Sequence, residues 1–262
     1  MHCKPGGGNI RLAGIFTGLL LAAAGWAAPA VPSAEVPFRQ GKIAIDGKPG
    51  DPGWKNAARI VLAAEPLNQR FGDYWATRPT TVLLAYDETF IYIAFLCKDD
   101  RIVTAGEKHD DALHAGDVAE TFIDGTGDHR QFFEIQQNAA GLARDVNYLF
   151  TGFNNVPDED GYLTDWNNIW DDICCDIRGL RFAGGKLADG SGWFTELAIP
   201  APELLRRSGR RQFAPGMTLR ANFVRLDCSG ENRSAAVSWS PTVFGRPHRS
   251  PGRMGFLKLL PR

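Results

Sequence analysis

Short apolar runs rich in β-branched and aromatic residues recur along the chain, separated by clusters of Gly, Asp, Asn and Pro. Runs of this kind, bounded by turn-forming residues, are typical of β-strands. Helical periodicity is confined to Pro202–Arg207 and to a single turn at Trp54–Ala58. The chain is therefore predicted to form an all-β, antiparallel β-sandwich with one or two short helical turns. The predicted strands are Thr80–Tyr86, Phe90–Cys97, Val118–Ile123, Gln131–Gln136, Ala143–Leu149, Ile173–Leu180, Trp193–Ile199, Met217–Leu226, Ala235–Trp239 and Phe256–Leu259.

The turns and the apolar content of single runs indicate how some strands are placed. Asp87–Thr89 is a tight turn that makes a hairpin of the first two runs, and Gly125–Asp128 turns the third run toward the fourth. Val82–Ala85 and Ile91–Phe95 are apolar on both faces, as expected of strands in the middle of a covered sheet. Gly152–Asp172 is a long polar segment, and loops of that length are usually functional or disordered.

The first 34 residues differ in character from the rest. Lys4 and Arg11 precede an apolar run over residues 12–24, and small residues follow through Ala34. This order predicts a signal peptide with a short flexible segment over residues 1–34, followed by a single domain over 35–262. An uncleaved anchor is the alternative, but the apolar run is shorter than the about 20 residues that span a bilayer. Cleavage after residue 27, 30 or 34 would release the protein to the periplasm or the exterior, without membrane insertion.

Charge excludes two classes of partner. Removing residues 1–34 takes away Lys4 and Arg11 and no acid, so the formal net charge falls from −1 to −3. A mildly acidic chain without a basic run would not displace counterions from nucleic acid, and it has no polybasic segment that could bind anionic lipid. The four cysteines after the signal segment leave both a disulfide and a free buried thiol open, and their spacing does not suggest zinc.

The order of several segments resembles the family 9 carbohydrate-binding modules. The resemblance covers nearly all of residues 38–262. The order and spacing of the matching segments are more specific than any single segment. The matching segments are Ile45–Gly47, Asp51–Ala57, Thr81–Asp87, Ile91–Phe95, Asp117–Asp124, Phe132–Ile135, Ser238–Pro241 and Phe256–Leu257.

The resemblance implies a β-sandwich that binds mono- or oligosaccharides, works beside glycoside hydrolases and holds structural calcium in some members. In the family, two Trp rings clamp the sugar and a Glu on the strand matching Val118–Ile123 assists them. That Glu corresponds to Glu120, and the clamp positions fall at or near His114 and His248. Neither clamp position is Trp in this chain, so the resemblance supports a ligand-binding role for Glu120 more strongly than it supports the clamp.

Other candidate site residues come from the pattern itself. Sugar binding needs flat apolar faces and planar polar groups. Trp75, Trp166 and Trp170 lie in polar, turn-rich sequence and are predicted ligand-binding residues, the alternative being a small cluster beneath the long loop. Arg144 alternates with apolar residues and is expected on the Glu120 surface, either as a ligand contact or as an ion-pair partner of Glu120. The remaining tryptophans that are assigned to the core are Trp54, Trp193 and Trp239.

Two other functions are alternatives to sugar binding. Catalysis of glycoside hydrolysis would need two carboxylates among Glu120, Glu134 and Glu196, and no nucleophile motif is present, so the chain is predicted not to be an enzyme. A noncovalent b-type haem is the main alternative, because related sandwich domains hold one between Met and Lys or His ligands. The residues available for it are Met217, Met254, His109, His114, His129 and His248.

Metal binding is predicted to be absent, with structural calcium left as a property of the resembling family. Five aspartates could supply oxygen ligands, but their spacing fits turn chemistry better than a calcium loop. They are Asp110, Asp111, Asp117, Asp124 and Asp128. The sequence therefore predicts noncatalytic carbohydrate binding by an exported protein linked to polysaccharide breakdown or uptake.

Overall fold

The computed structural model describes residues 29–63, 78–150, 157–163, 169–172, 176–228 and 234–262. A four-residue helix, α1 (Ala201–Leu204), and five 3-10 turns accompany the strands in these ranges. None of these helices is long or apolar enough to cross a membrane. The strands are β1 (Ser33–Val36), β2 (Ala58–Val61), β3 (Thr80–Tyr86), β4 (Phe90–Lys98), β5 (Val118–Asp124), β6 (Gln131–Gln137), β7 (Ala143–Phe150), β8 (Ile169–Asp172), β9 (Arg181–Lys186), β10 (Gly192–Pro200), β11 (Thr218–Cys228), β12 (Ser234–Ser238) and β13 (Gly255–Leu259).

The strands form two sheets that pack face to face. The large sheet has the order β1-β13-β11-β5-β6-β7-β8, with β12 also paired to β11, and the small sheet has the order β2-β3-β4-β10-β9. All named strand pairs are antiparallel except β1 with β13. The predicted antiparallel sandwich is therefore confirmed, as are the hairpin of β3 with β4 and the turn from β5 to β6.

The core lies between the sheets and follows the two-residue alternation of the strands. Ile91, Ile93 and Phe95 of β4 face this core, whereas Tyr92 and Ala94 face a second apolar layer on the outside of the small sheet. Both faces of β4 are thus covered, as its continuous apolar run predicts. The expected core positions of Trp54 and Trp193 are confirmed, and Trp239 packs against the main core while half-buried.

The segment before β2 forms the cover of the small sheet. Glu196 of β10 accepts hydrogen bonds from Gly47 N at 2.7 Å and from Trp54 Nε1 at 3.1 Å. Asp51 caps the 3-10 turn that carries Trp54 by accepting from Gly53 N at 2.6 Å. Burial raises the pKa of Glu196, and these hydrogen bonds oppose the rise. Glu196 therefore anchors a covering segment, and it lies on the opposite sheet from Glu120.

The prediction for residues 173–180 is wrong in the part that the structure describes. Residues 176–180 form a turn, and residues 173–175 lie outside the described ranges. The neighbouring strands are β8, within the segment expected to be a loop, and β9. The sequence did not predict β1, β2 or β9. β9 contains Gly184 and Gly185 and has no apolar alternation, and β1 and β2 are four-residue edge strands without a long apolar run.

Candidate functional site

Buried polar residues gather on the outer face of the large sheet. Alternation on β5, β6 and β7 turns every second side chain away from the sandwich core, and the register of these strands places those side chains beside one another. Apolar neighbours from β5 to β7, with Leu163, Val224 and Met254, form a separate cluster around them. The polar members are Glu120, Glu134, Gln136, Arg144 and Tyr148.

Gln136 holds the two carboxylates of this group together. Its Nε2 donates to Glu120 Oε1 at 3.1 Å and to Glu134 Oε1 at 2.7 Å. Tyr148 donates its hydroxyl to Glu134 Oε2 at 2.8 Å. Glu120 is 4% exposed and Glu134 is 6% exposed, so both carboxylates are held in place inside the surface. The direct ion pair of Glu120 with Arg144 does not form among the described residues, because Gln136 takes that position.

Burial raises the pKa of both carboxyls. Burial raises the pKa of Glu120 well above its ordinary value, and the neighbouring charge of Glu134 raises it further. The hydrogen bond from Gln136 and the charge of Arg144 lower the pKa only in part. Burial likewise raises the pKa of Glu134 against the bonds from Tyr148 and Gln136. An ionised carboxyl accepts hydrogen bonds and a protonated one can also donate, so in either form these groups suit recognition of a hydroxyl.

Two polar atoms beside Glu120 are buried without a hydrogen-bond partner in the described part of the chain. They are Gln136 Oε1, an acceptor, and Arg144 Nε, a donor. Residues Gln136 and Arg144 lie directly opposite each other on β6 and β7. Leaving such a group unpaired costs about 1–3 kcal/mol. An incoming group with both a donor and an acceptor, such as a hydroxyl, would satisfy them.

His248 completes this face from a 3-10 turn, Pro247–Arg249. Its ring stacks on Tyr148 with centroids 6.3 Å apart and planes 15° apart. Burial lowers the pKa of His248 to about 4, and the charges of Arg249 and Arg246 act in the same direction. The imidazole is therefore neutral at pH 7. The structure thus brings three of the sequence-predicted residues, Glu120, Arg144 and His248, to one surface.

The other predicted ligand-binding residues are His114, Trp75, Trp166 and Trp170. His114 is exposed on a 3-10 turn, Leu113–Ala115, that packs against β6. Trp75 and Trp166 lie outside the described residues. Trp170 belongs to β8, where its backbone pairs with Leu149 of β7, and its side chain is outside the described part. Gln136 and Tyr148 were missed in the sequence, and their alternation on β6 and β7 was the available signal.

An aromatic rim adjoins His248 and was also missed. Phe244 is 48% exposed and has a left-handed backbone with φ of 52°. Its ring meets Tyr162 edge-on, with centroids 5.5 Å apart, and the guanidinium of Arg249 lies 5.0 Å from the Tyr162 ring centre. A large residue in this conformation is uncommon and marks a loop that its surroundings hold in place. Phe244 and Tyr162 therefore provide apolar ring surface next to the polar group.

The aspartates considered for calcium are mostly engaged by backbone amides. Asp124 accepts from Gly127 N at 2.7 Å and His129 N at 2.9 Å, and Asp111 accepts from Glu107 N at 2.8 Å. Asp128 accepts from Arg130 N at 2.9 Å. These bonds confirm turn chemistry at the three residues, as the spacing indicates. Asp110 differs from them because it stands beside His109 and Asp145.

A second buried charge cluster lies inside the sandwich. Arg225 is 2.7 Å from Asp99, 3.7 Å from Asp117 and 3.9 Å from Asp227, measured from Nη2 to carboxylate oxygens. Its guanidinium carbon lies 4.5 Å from the Trp193 ring centre. Burial raises the pKa of Asp117 to about 6. Arg78 also pairs with Asp227 at 3.0 Å and Asp99 at 3.7 Å, so two guanidinium groups rather than a metal ion balance most of the charge of these carboxylates.

The haem alternative gains no support from these positions. Met254 is buried in the apolar cluster of the large sheet's outer face, whereas Met217 packs against the main core. Met217 Sδ also accepts a hydrogen bond from Ala214 N at 3.2 Å. His129 Nε2 is 3.0 Å from Arg220, which with burial lowers its pKa. Met254, Met217 and His129 are therefore used in packing and hydrogen bonding.

No protein-family model matches the sequence, and a search of curated proteins finds no match either. Solved structures do match. A family 9 carbohydrate-binding module from Caldicellulosiruptor kristjanssonii aligns over 88% of this chain and 94% of its own, with 16% identity and a TM-score of 0.58, in a complex with cellotriose. The same kind of module in complex with glucose aligns over 88% of this chain and 96% of its own, with 18% identity and a TM-score of 0.57.

A protein from Bacteroides uniformis that is proposed to bind carbohydrate aligns over 88% of this chain and 100% of its own. Its identity is 15% and its TM-score is 0.66. At these identities the matches establish a shared fold. The sandwich expected from the resemblance is thus the fold of family 9-like carbohydrate-binding domains, and it spans nearly the whole of each matched structure.

Proposed function

We propose that this protein binds mono- or oligosaccharides, without catalysing a reaction on them, at the outer face of the large sheet. The observation that carries the proposal is the pair of buried, unpaired polar atoms, Gln136 Oε1 and Arg144 Nε, beside the carboxyl of Glu120. Sugars present many hydroxyls, each able to donate and to accept. A fixed carboxyl, amide and guanidinium on one surface match that chemistry.

The surrounding rings suit the other side of a sugar. Sugar C–H groups pack on flat apolar faces, and the rim offers Phe244 and Tyr162 next to the His248–Tyr148 stack. This chain lacks Trp at both clamp positions of the resembling family. In the proposed site, rings from the 157–163 and 244–249 segments take the place of the two-tryptophan clamp. The bond from Leu163 N to Arg249 O, 2.8 Å long, ties those segments together.

The arrangement of carboxylates supports a noncatalytic role. Glycosidases hold two carboxyl groups on either side of the bond that breaks. Glu120 and Glu134 instead bond to the same amide nitrogen of Gln136, so the Gln136 side chain lies between them. Glu196, the third candidate, is covered by residues 46–54 on the other sheet. We propose accordingly that the protein retains sugars and leaves hydrolysis to glycoside hydrolases acting nearby.

Export is part of the proposal and rests on residues 1–34. Their charged, apolar and small-residue regions fit a cleaved signal peptide that delivers the protein to the periplasm or the exterior. A sugar-binding protein in that location would serve polysaccharide breakdown or uptake. Secretion of the native protein, followed by fractionation of periplasm and medium, tests this part independently of ligand binding.

A glycan array followed by calorimetry tests the binding proposal. The array includes glucose and cellotriose as well as uronic acids, and the absorbance spectrum of the sample is recorded first. We expect a colourless protein that retains a defined group of glycans. E120Q should weaken the affinity by about tenfold to a hundredfold, the range for one hydrogen bond to a charged group. E35Q, at an exposed Glu on the edge strand β1, is the matched control and should bind normally.

Two results would contradict the proposal. A folded wild-type protein that retains no glycan is not a sugar binder, and a Soret band would favour the haem alternative. Equal affinities of E120Q and E35Q would place the sugar elsewhere on the molecule. Thermal melting of each variant separates loss of binding from loss of fold, since E120Q keeps the shape of the side chain.

A further inference from the structure

A second polar cluster lies at the open edge of the sandwich, outside the proposed sugar site. His109 stacks on Phe182 of β9, with ring centroids 5.5 Å apart and planes 11° apart. Asp145 extends from the inner face of β7, opposite to the face that carries Arg144 and Tyr148. The cluster borders a cleft of about 520 Å³, which the turn at 176–180 also lines. It thus joins an edge region of the large sheet to the edge strand of the small sheet.

Three carboxylates converge on one ring nitrogen in this cluster. His109 Nε2 is 3.2 Å from Asp176 Oδ1, 3.3 Å from Asp145 Oδ1 and 3.6 Å from Asp110 Oδ1. A protonated Nε2 has a single hydrogen, and its one hydrogen bond is to Asp176. The contacts to Asp145 and Asp110 are therefore charge contacts without a shared hydrogen.

Asp145 gives independent evidence that something is missing from the cluster. Its side chain is 1% exposed, and its Oδ2 accepts from Ile177 N at 2.7 Å. Its Oδ1 points toward His109 yet has no hydrogen bond from any described residue. A buried carboxylate oxygen left without a hydrogen-bond donor is costly. His109 gives this oxygen a charge contact at 3.3 Å but no hydrogen bond, and a metal ion at this point would bind the oxygen directly.

The charge balance leads to the same conclusion. Asp110, Asp145 and Asp176 carry three negative charges, and His109 supplies one positive charge at most. Within the described ranges, no Lys or Arg forms an ion pair with any of the three. The interior carboxylates pair with two guanidinium groups, those of Arg225 and Arg78, whereas the His109 cluster has no Arg partner among the described residues. A divalent cation would compensate the excess charge.

The separations fit one class of ion. Zinc binds His nitrogen and Asp oxygen at about 2.0–2.2 Å in tetrahedral sites, and tetrahedral geometry then separates neighbouring ligand atoms by about 3.3–3.6 Å. The three distances from Nε2 fall near that interval. One ligand atom from each of His109, Asp110 and Asp145 also lies within 4.8 Å of the others. Calcium prefers oxygen ligands throughout, so the imidazole favours a transition metal.

We propose that His109, Asp110 and Asp145 bind a zinc-type divalent ion, and that the exposed carboxylate of Asp176 turns toward the ion as the fourth ligand. The ion would connect β7, the turn at 176–180 and the loop before β5, while the stacked Phe182 brings β9 against it. This role is structural, and it lies on the opposite face of β7 from Arg144. The proposal therefore does not depend on sugar binding.

Metal binding by the purified protein tests this proposal directly. The protein is stripped with EDTA, titrated with Zn²⁺ against a chromophoric chelator, and titrated separately with Co²⁺. We expect one tight equivalent, a higher melting temperature with Zn²⁺, and the intense visible absorption of tetrahedral cobalt. H109A should weaken zinc affinity by more than about 100-fold, beyond the effect of losing an outer-shell partner. H114A, at an exposed histidine, is the matched control and should keep the equivalent.

The remaining variants keep the test decisive if H109A fails to fold. D145N preserves shape and removes one charge, and D176N changes only an exposed side chain, so each of these variants that folds should lose zinc affinity by about tenfold or more. Wild-type protein that takes up no zinc overturns the proposal, with His109 then only an ion-pair partner. Full retention of zinc in folded H109A, D145N or D176N does so as well. A thiolate-to-cobalt band in the near ultraviolet would place the ion on cysteines, which also overturns it.

Discussion

His248 shows how one residue's surroundings set its charge in the proposed sugar site. Burial and two neighbouring arginines lower its pKa to about 4, from an ordinary value of 6.5. Below pH 6.5 the unfolded chain binds a proton that the folded protein does not take up until near pH 4. Stability that depends on neutral His248 is therefore complete above pH 6.5 and is lost as pH falls toward 4.

Replacing this histidine with a group that does not titrate should remove that pH dependence. We expect the free energy of unfolding of H248F, relative to wild type, to rise by about 1–3 kcal/mol between pH 7 and pH 4. Urea denaturation at a series of pH values measures it. H114F, at an exposed histidine, is the comparison and should show no such trend. A constant difference between H248F and wild type would mean that His248 titrates normally in the folded state.

At the scale of elements, β1 constrains where the proposed signal peptide would end. β1 begins at Ser33 and pairs in parallel with β13, and Phe256 N donates to Pro32 O at 2.9 Å. Arg253 Nη2 also donates to Pro29 O at 2.6 Å. Cleavage after Ala34 would remove half of β1, and cleavage after Ala30 would remove the Pro29 contact. Both contacts survive only if the protein is cut before Pro29.

We therefore predict cleavage after Ala27, where small residues occupy positions 25 and 27 as signal peptidase substrates require. Intact mass and N-terminal sequencing of the exported protein should give Ala28 as its first residue. A mature protein that starts at Glu35 would show that half of β1 is dispensable. Measuring the melting temperature of a variant that begins at Glu35 then tells whether the edge strand stabilises the sandwich.

The sequence located the central strands well because burial on both faces produces long apolar runs. β3 matches its predicted bounds, and β4 and β5 extend one residue beyond theirs. β9 was not predicted, because its glycines serve the close approach of β9 to another backbone segment. A Cβ on Gly184 would lie 2.6 Å from the backbone oxygen of Asn138. A strand shaped by tertiary contact in this way carries no apolar alternation.

The candidate site could be predicted only in part, because it depends on how neighbouring strands pair. Alternation shows that Glu120 and Tyr148 each face one side of a strand, but the register of β5, β6 and β7 decides which residues meet. That register gives Gln136 two carboxylates to bridge. The His109 cluster draws its members from three separate segments, so no local spacing in the sequence could indicate it.

At the scale of the whole molecule, buried charge is divided among three places with different chemistry. The outer face holds Glu120 and Glu134 around an amide, the interior holds three aspartates around Arg225, and the open edge holds three aspartates around His109. Within the described ranges, only the interior group has an Arg within 4 Å of every one of its carboxylates. That difference separates a structural ion pair from the two places where an external ligand is proposed.

Arg225 should therefore be the charged residue on which the sandwich depends most. It belongs to β11 of the large sheet, while its closest partner, Asp99, follows β4 of the small sheet. Removing one member of a buried ion pair leaves uncompensated charge and costs about 3–5 kcal/mol. We expect that loss for R225A in the free energy of unfolding by urea. R207A removes an exposed pair with Asp128 and should cost less than about 1 kcal/mol. Similar small losses in both variants would mean that apolar packing alone joins the two sheets.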